Sequence, residues 1–364
     1  LYSTPGLLDG YGITTNSTIK SLSTAVFAQA DWELLNHLHI LPGLRYTYDK
    51  KDVDYNRNTY GGLQTTDATL LALKAAVYSN QQFNTSTDNN NLSGNITLSY
   101  RPNSNLNAYG TFSTAYKPVG VNVGGLPTTS TGEADLSLAV VKPEYVQHYE
   151  LGVKTKPAKG LLVNVTAFNT DIKDYQTNVQ SPQLGVNRGY LSNAEKVNVK
   201  GLEIDGSFQL ERFLTLNAAL AYLDGKYVKF TNAPLPLEET GHTELINNVA
   251  TQVAFKDASG GRLPGISKWN ISGGTELSTA GNLATKNGRY FVAADASYRS
   301  GYSSNPTPSR ILNVDAYALL NARAGFKSEK FSIFVWSRNI ANKNYYEQLQ
   351  AAAGNAGLYA GVLG

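Results

Sequence analysis

The chain has 364 residues, 41% of them hydrophobic, with no Cys and a formal net charge of +3. Without Cys there is no disulfide scaffold and no thiolate metal site, and a charge so small and dispersed argues against a nucleic-acid surface. No apolar run approaches the roughly 18 residues of a membrane helix, so any bilayer crossing must be made of strands.

In chain order, residues 1–19 read as a piece of loop, followed by a first strand from Ser21 to Leu34 and a short turn at Asn36. A long connection from Asp49 to Asn90 includes one short helix, Asp67 to Tyr78, with Leu70, Leu73 and Val77 on one side and a loop crown as its packing partner. From Asn91 to Tyr100 the residues alternate: Leu92, Gly94, Ile96 and Leu98 make one face, and Ser93, Asn95, Thr97 and Ser99 the other. A short turn at Pro102 to Ser104 and a long connection from Pro118 to Pro143 follow. After the turn at Pro157 to Lys159, Leu161, Val163, Val165 and Ala167 oppose Asn164 and Thr166.

A long connection from Tyr175 to Gly189 leads to the clearest alternation in the chain, Gly201 to Leu210. There Leu202, Ile204, Phe208 and Leu210 oppose Glu203, Asp205, Ser207 and Gln209. The pattern continues through a short turn at Glu211 to Arg212, a long connection from Phe230 to Ser267, a looser short turn at Gly281 to Gly288 and a long connection from Ser300 to Asn313. Leu320, Ala322, Ala324 and Phe326 oppose Asn321, Arg323 and Lys327 before the turn at Ser328 to Glu329, and the last strand runs from Phe331 to Tyr346. Residues 347–364 read as loop.

Short and long connections thus alternate, as they do in transmembrane β-barrels, where one rim only reverses the chain and the other carries recognition. A soluble sandwich has the same period of two but packs its apolar face on a second sheet. Runs of about ten residues favour the membrane, because a tilted strand of that length crosses hydrocarbon. Trp32, Tyr46, Tyr48, Tyr116, Tyr175, Tyr222, Tyr298, Tyr302, Tyr345 and Tyr346 gather near run ends, where a ring with a polar tip suits the interface. The fold expected is all-β, an antiparallel transmembrane barrel with long extracellular loops.

Several stretches together resemble the C-terminal barrel region of the TonB-dependent outer-membrane receptors. They include NLSGNITLSYRP (Asn91 to Pro102), YGTFSTAYKPVGVN (Tyr109 to Asn122), KPEYVQHYELGVK (Lys142 to Lys154), NAEKVNVKGLEID (Asn193 to Asp205) and WSRNIANKNYY (Trp336 to Tyr346). The resemblance implies a partial barrel, about 12 of about 22 strands, with both ends on the extracellular side, and the whole of 1–364 as one barrel domain. It implies that the plug domain, its N-terminal box and the terminal strands lie outside this chain, which is read as a fragment or processed piece. The function implied is binding and import of a scarce ligand, foremost an iron–siderophore complex, energised by the TonB–ExbB–ExbD complex through the plug. The location implied is the outer membrane of a Gram-negative bacterium, in contact with its lipid. The alternatives are a porin-like channel, an importer of cobalamin, haem or oligosaccharide, or a soluble β-rich adhesin.

Candidate ligand-binding residues stand where strands pass into outer loops: Tyr116, Lys117 and Asn122, then Arg188 and Tyr190, then Tyr302. Interface anchoring or loop packing is the alternative role for each. Glu203, Asp205, Asn321 and Arg323 are expected to face the lumen and a plug or water. The four histidines, His37, His39, His148 and His242, form no cluster, and no hydrolase, P-loop or zinc-protease motif occurs. No catalytic residue, metal site or cofactor is therefore assigned.

Overall fold

The computed structural model describes residues 4–126, 129, 133–180, 189–239, 241–351 and 359–364. One antiparallel sheet carries the architecture. Its strands are β1 (Gly12–Gln29), β2 (Leu38–Tyr60), β3 (Gln81–Asn103), β4 (Leu106–Lys117), β5 (Glu144–Ala158) and β6 (Leu161–Gln180). They continue as β7 (Gly189–Leu210), β8 (Leu214–Lys229), β9 (Trp269–Leu283), β10 (Lys286–Arg299), β11 (Tyr317–Lys327) and β12 (Ser332–Ser337). Each strand pairs with the next in sequence, and Trp32–Leu35 prolongs β1 beyond a break. Among the described residues β1 and β12 do not pair, so the sheet is an open wall.

Register explains why the two stripes stay separate. Leu202 pairs with Tyr222, Ile204 with Leu220 and Phe208 with Leu216, and the row passes on to Trp269, Ile271 and Tyr298. A slip of one residue anywhere would exchange the faces of a whole strand. No second sheet covers the apolar stripe: Leu151 and Val335 are 70% and 75% exposed. That removes the sandwich reading, because a sandwich buries this face.

The short turns lie on one edge. At the hairpin between β9 and β10, Leu283 pairs with Lys286, leaving a two-residue turn with φ +46° at Ala284 and +65° at Thr285. This turn is tight, not loose as its polar sequence suggests, and two positive φ values give the twist that matches flanking strands. On the outer face Tyr290 lies over Gly281 and Phe326 over Gly288, where an added Cβ would fall 2.6 Å and 2.3 Å from the rings. Tyr290, Phe326 and Phe331 form a ring cluster there.

The opposite edge departs from the sequence reading in four places. β1 begins at Gly12, well before Ser21. Most of Asp49 to Asn90 and part of Tyr175 to Gly189 are strand, since β2 runs to Tyr60, β3 starts at Gln81 and β6 runs to Gln180. Beyond the apolar belt the outward face of a hairpin turns polar and the inward face carries only scattered apolar side chains, so periodicity fades although backbone pairing continues. The last wall strand stops at Ser337, and Tyr346–Ala351 instead pairs with Tyr359–Leu363. The expected helix is present as α1 (Ala68–Val77), capped by Asp67, whose carboxylate accepts from the Thr69 and Leu70 N–H groups; Leu70, Leu73 and Val77 are its half-buried side.

If the apolar stripe meets hydrocarbon, Leu220→Arg, near the middle of β8, should destabilise the wall by about 2–4 kcal/mol, whereas Ala219→Arg on the other face should cost less than about 0.5 kcal/mol. Unfolding of the two variants in lipid vesicles measures the difference.

Candidate functional site

The long connections fold back over the inner stripe at their end of the wall. The described part of the connection between β4 and β5 lies against β2 and β3: Leu126 is fully buried with Val53, Tyr55 and Phe83, and Tyr55 stacks on Phe83 at 4.8 Å. Gln81 fixes that contact twice, donating to the Leu126 carbonyl at 2.7 Å and accepting its N–H at 3.0 Å. Lys51 donates to the Val119 carbonyl at 2.7 Å. Arg57, 1% exposed, donates from Nε to the Ser79 carbonyl at 2.9 Å. Gly125 has φ +100°, and a Cβ there would stand 2.2 Å from the Arg57 guanidinium, so only glycine lets the loop pass so close.

Residues 230–268 do the same on β7 and β8. Phe230, Ala233, Ala258 and Leu263 pack with Val179, Tyr190, Val197 and Tyr227. Ile266 occupies the space over Gly225, where a Cβ would lie 2.5 Å from its Cδ1. This loop is clasped to the connection between β10 and β11. Glu238 accepts from the Ser309 hydroxyl at 2.5 Å and the Arg310 N–H at 2.8 Å, and Lys256 pairs with Glu239 at 2.8 Å. Burial acts to raise the Glu238 pKa, but these hydrogen bonds outweigh it and hold the carboxyl below its ordinary range. A recess of about 440 Å³ opens beside the clasp, lined by Arg262, Lys268, Trp269, Tyr302, Asn313 and Asp315 among others.

The residues singled out from sequence fall at different points of this end. Tyr116 shares the outer face with Phe112 and pairs with Tyr145. Lys117 is half exposed and bonds the buried Glu144 at 3.0 Å, while Glu144 also accepts the Gln176 N–H at 2.7 Å. Asn122 braces its own connection and ties it to the start of β7, donating to the Leu138 and Leu191 carbonyls at 2.7 and 2.9 Å and accepting the Leu191 N–H at 2.7 Å. Tyr190 is buried in the cluster on β7. Arg188 lies outside the described residues. Tyr302 is 4% exposed, with the Arg299 guanidinium 3.9 Å over its ring and its hydroxyl donating to the Glu347 carbonyl at 2.6 Å. Of the five that are described, Tyr302 alone borders the recess.

On the inner stripe, Asp205 accepts from Asn164 at 2.9 Å, Arg323 pairs with Glu276 at 3.1 Å, and Asn321 accepts the Asn339 N–H at 2.9 Å. Glu203 stands exposed on the same face, two residues from Asp205. Sequence reasoning missed Arg57, Gln81, Glu144 and Gln176, the buried polar groups that carry loop packing. Arg57 and Gln81 lie in stretches that read as solvated loop, and nothing in their local pattern marks them as buried.

An open antiparallel wall with a bare apolar stripe and long connections folded over its other face is the architecture of a large outer-membrane receptor barrel. The family described as TonB dependent receptor-like, beta-barrel matches residues 2–340, and the chain belongs to it. Among solved structures, the chain is similar to the ferric yersiniabactin uptake receptor FyuA from Yersinia pestis, at 16% identity and TM-score 0.70, with 97% of this chain and 45% of that one covered. It is similar also to the siderophore receptor PiuA from Acinetobacter baumannii (16%, TM-score 0.60, 96% and 42% covered) and to the copper transporter OprC (13%, TM-score 0.58, 91% and 44% covered). The chain therefore spans less than half the length of these receptors. Members of the family are transporters rather than enzymes.

Asn122→Ala removes three hydrogen bonds, one within its connection and two to β7, and leaves the Leu191 N–H without its partner, which costs about 1–3 kcal/mol locally. Hydrogen exchange at Leu191 should accelerate while exchange in β8 and β9 stays unchanged.

Proposed function

We propose that this wall is part of an outer-membrane receptor that captures a scarce ligand, foremost a ferric siderophore, and imports it with energy from the TonB–ExbB–ExbD complex. The short-turn edge then faces the periplasm and the long-loop edge the medium. The observation that carries the reading is the inward fold of the connections: they narrow the inner face into a vestibule, where a freely permeable channel would leave the passage open. FyuA is a ferric yersiniabactin uptake receptor and PiuA a siderophore receptor, which supports the cargo class.

The recess beside Tyr302 offers chemistry suited to such a cargo. Arg262 and Lys268 supply cations and Asn313 supplies an amide. An oxygen-rich anionic chelate presents charge and hydrogen-bond acceptors to such groups. The chain has no Cys and no Met, so it offers no soft sulfur ligands to a bare soft metal, and the metal is read as cargo inside its chelator. Tyr116, Lys117, Asn122, Arg188 and Tyr190 remain proposed contributors, with Asn122 and Tyr190 acting through loop position. Glu203, Asp205, Asn321 and Arg323 would face the plug.

Deletion of the gene should abolish growth and iron accumulation on one defined siderophore while leaving growth on ferrous iron intact. Arg262→Ala with Lys268→Ala should weaken binding of that siderophore about tenfold or more, as expected when two charged contacts are lost. Unchanged uptake of every siderophore tried contradicts the cargo reading.

A further inference from the structure

On the outer face, near the short-turn edge, the wall carries an apolar groove of about 650 Å³. Its floor is shallow at Ala324, and its sides are Phe213, Leu277, Leu283, Tyr290 and Val292 on one flank and Phe326, Ile333 and Val335 on the other. The groove is nearly devoid of polar atoms and sits on the stripe that bears the bare leucines and valines. The groove runs toward the turns that close three consecutive hairpins.

Those turns are cationic. Arg212, Lys286, Lys327 and Lys330 are exposed there, against Glu211 and Glu329. Lys286 pairs with Leu283, a groove residue, and by alternation shares its outward face with Tyr290. Arg289 is occupied differently: it turns inward and donates to the Arg212 carbonyl and to Ser278. Tyr290 and Phe326 line the end of the groove nearest the charges and pack with Phe331, and the Tyr290 hydroxyl donates to the Asn282 carbonyl at 2.8 Å. Going down the wall, the order is hydrocarbon-lined groove, rings with polar tips, then cations.

That order matches the layers of a lipid leaflet. Acyl chains fit the groove, rings suit the boundary between chains and headgroups, and exposed lysines gain most beside an anionic headgroup. We propose that this groove and its rim, Arg212, Lys286 and Lys330, form a binding site for an anionic phospholipid of the leaflet at the short-turn edge. A zwitterionic lipid would fill the same groove but gain nothing from the rim. Lipid held there would brace β9, β10 and β11, the strands that carry Arg299 and Glu276 on the inner side. The site rests on the membrane-facing assignment of the apolar stripe and not on the identity of the cargo, so a negative siderophore assay leaves it standing.

The test uses the receptor extracted in mild detergent from its own membrane and exchanged into phosphatidylcholine discs with or without phosphatidylglycerol, with native mass spectrometry reading the retained lipid. Wild type should retain phosphatidylglycerol over phosphatidylcholine, and Lys286→Gln with Lys330→Gln should lower that preference about thirtyfold, the combined worth of two lysines beside an anionic surface. Lys286→Arg with Lys330→Arg, which keeps the charge, should preserve it. Ala324→Phe, which fills the groove, should reduce retention of both lipids while leaving the wall folded, as judged by an unchanged strand signal in circular dichroism. Equal retention of the two lipids by wild type, or a preference untouched by the double Gln variant, overturns the site. Preference lost equally in the Arg variant also overturns it, because charge would then not be the cause.

Discussion

A peptide group inside hydrocarbon has no water to bond to, and each one left unpaired costs several kcal/mol. This wall answers that constraint by pairing every strand with its sequence neighbours over lengths from 6 residues in β12 to 23 in β2 and β3. Everything else follows from it. Continuous pairing forces side chains to alternate, and alternation forces one stripe outward and one inward. The connections must then cross at the two edges, where water is available.

The division of labour between those edges is a matter of what each must accomplish. At one edge the chain reverses in a few residues, helped by positive φ at Ala284 and Thr285 and by rings laid over Gly281 and Gly288. At the other edge the strands outrun the apolar belt and their connections turn inward, held by two buried apolar clusters together with buried polar groups such as Gln81, Asn122 and Glu144. Such contacts are directional, so they set where a loop sits as well as whether it is stable.

The wall itself was legible in the sequence because lipid enforces a strict period of two, as in Gly201 to Leu210 and Leu320 to Lys327. The tight turns were legible for the same reason, being the places where that period stops. The outer hairpins were not. Asp49 to Tyr60 and Gln81 to Asn90 pair as strands although their outward face is almost wholly polar and the inward face carries only Val53, Tyr55 and Phe83 as apolar groups, too few to give a periodic signal. The candidate site was readable only as a region. Tyr302 reaches the recess, whereas Arg262 and Lys268 were passed over because they sit inside a long connection whose fold depends on Ile266 meeting Gly225, a contact between distant positions that no local pattern announces.

The absence of Cys makes the central claim directly measurable. Single Cys replacements at successive positions from Leu202 to Leu210, labelled with a nitroxide in the reconstituted receptor, report collision with oxygen dissolved in lipid and with a water-soluble nickel complex. Collision with lipid-dissolved oxygen should peak at 202, 204, 208 and 210 and fall at the odd-numbered positions between. A uniform profile, or one with a period near 3.6, would contradict a wall whose apolar stripe faces the membrane.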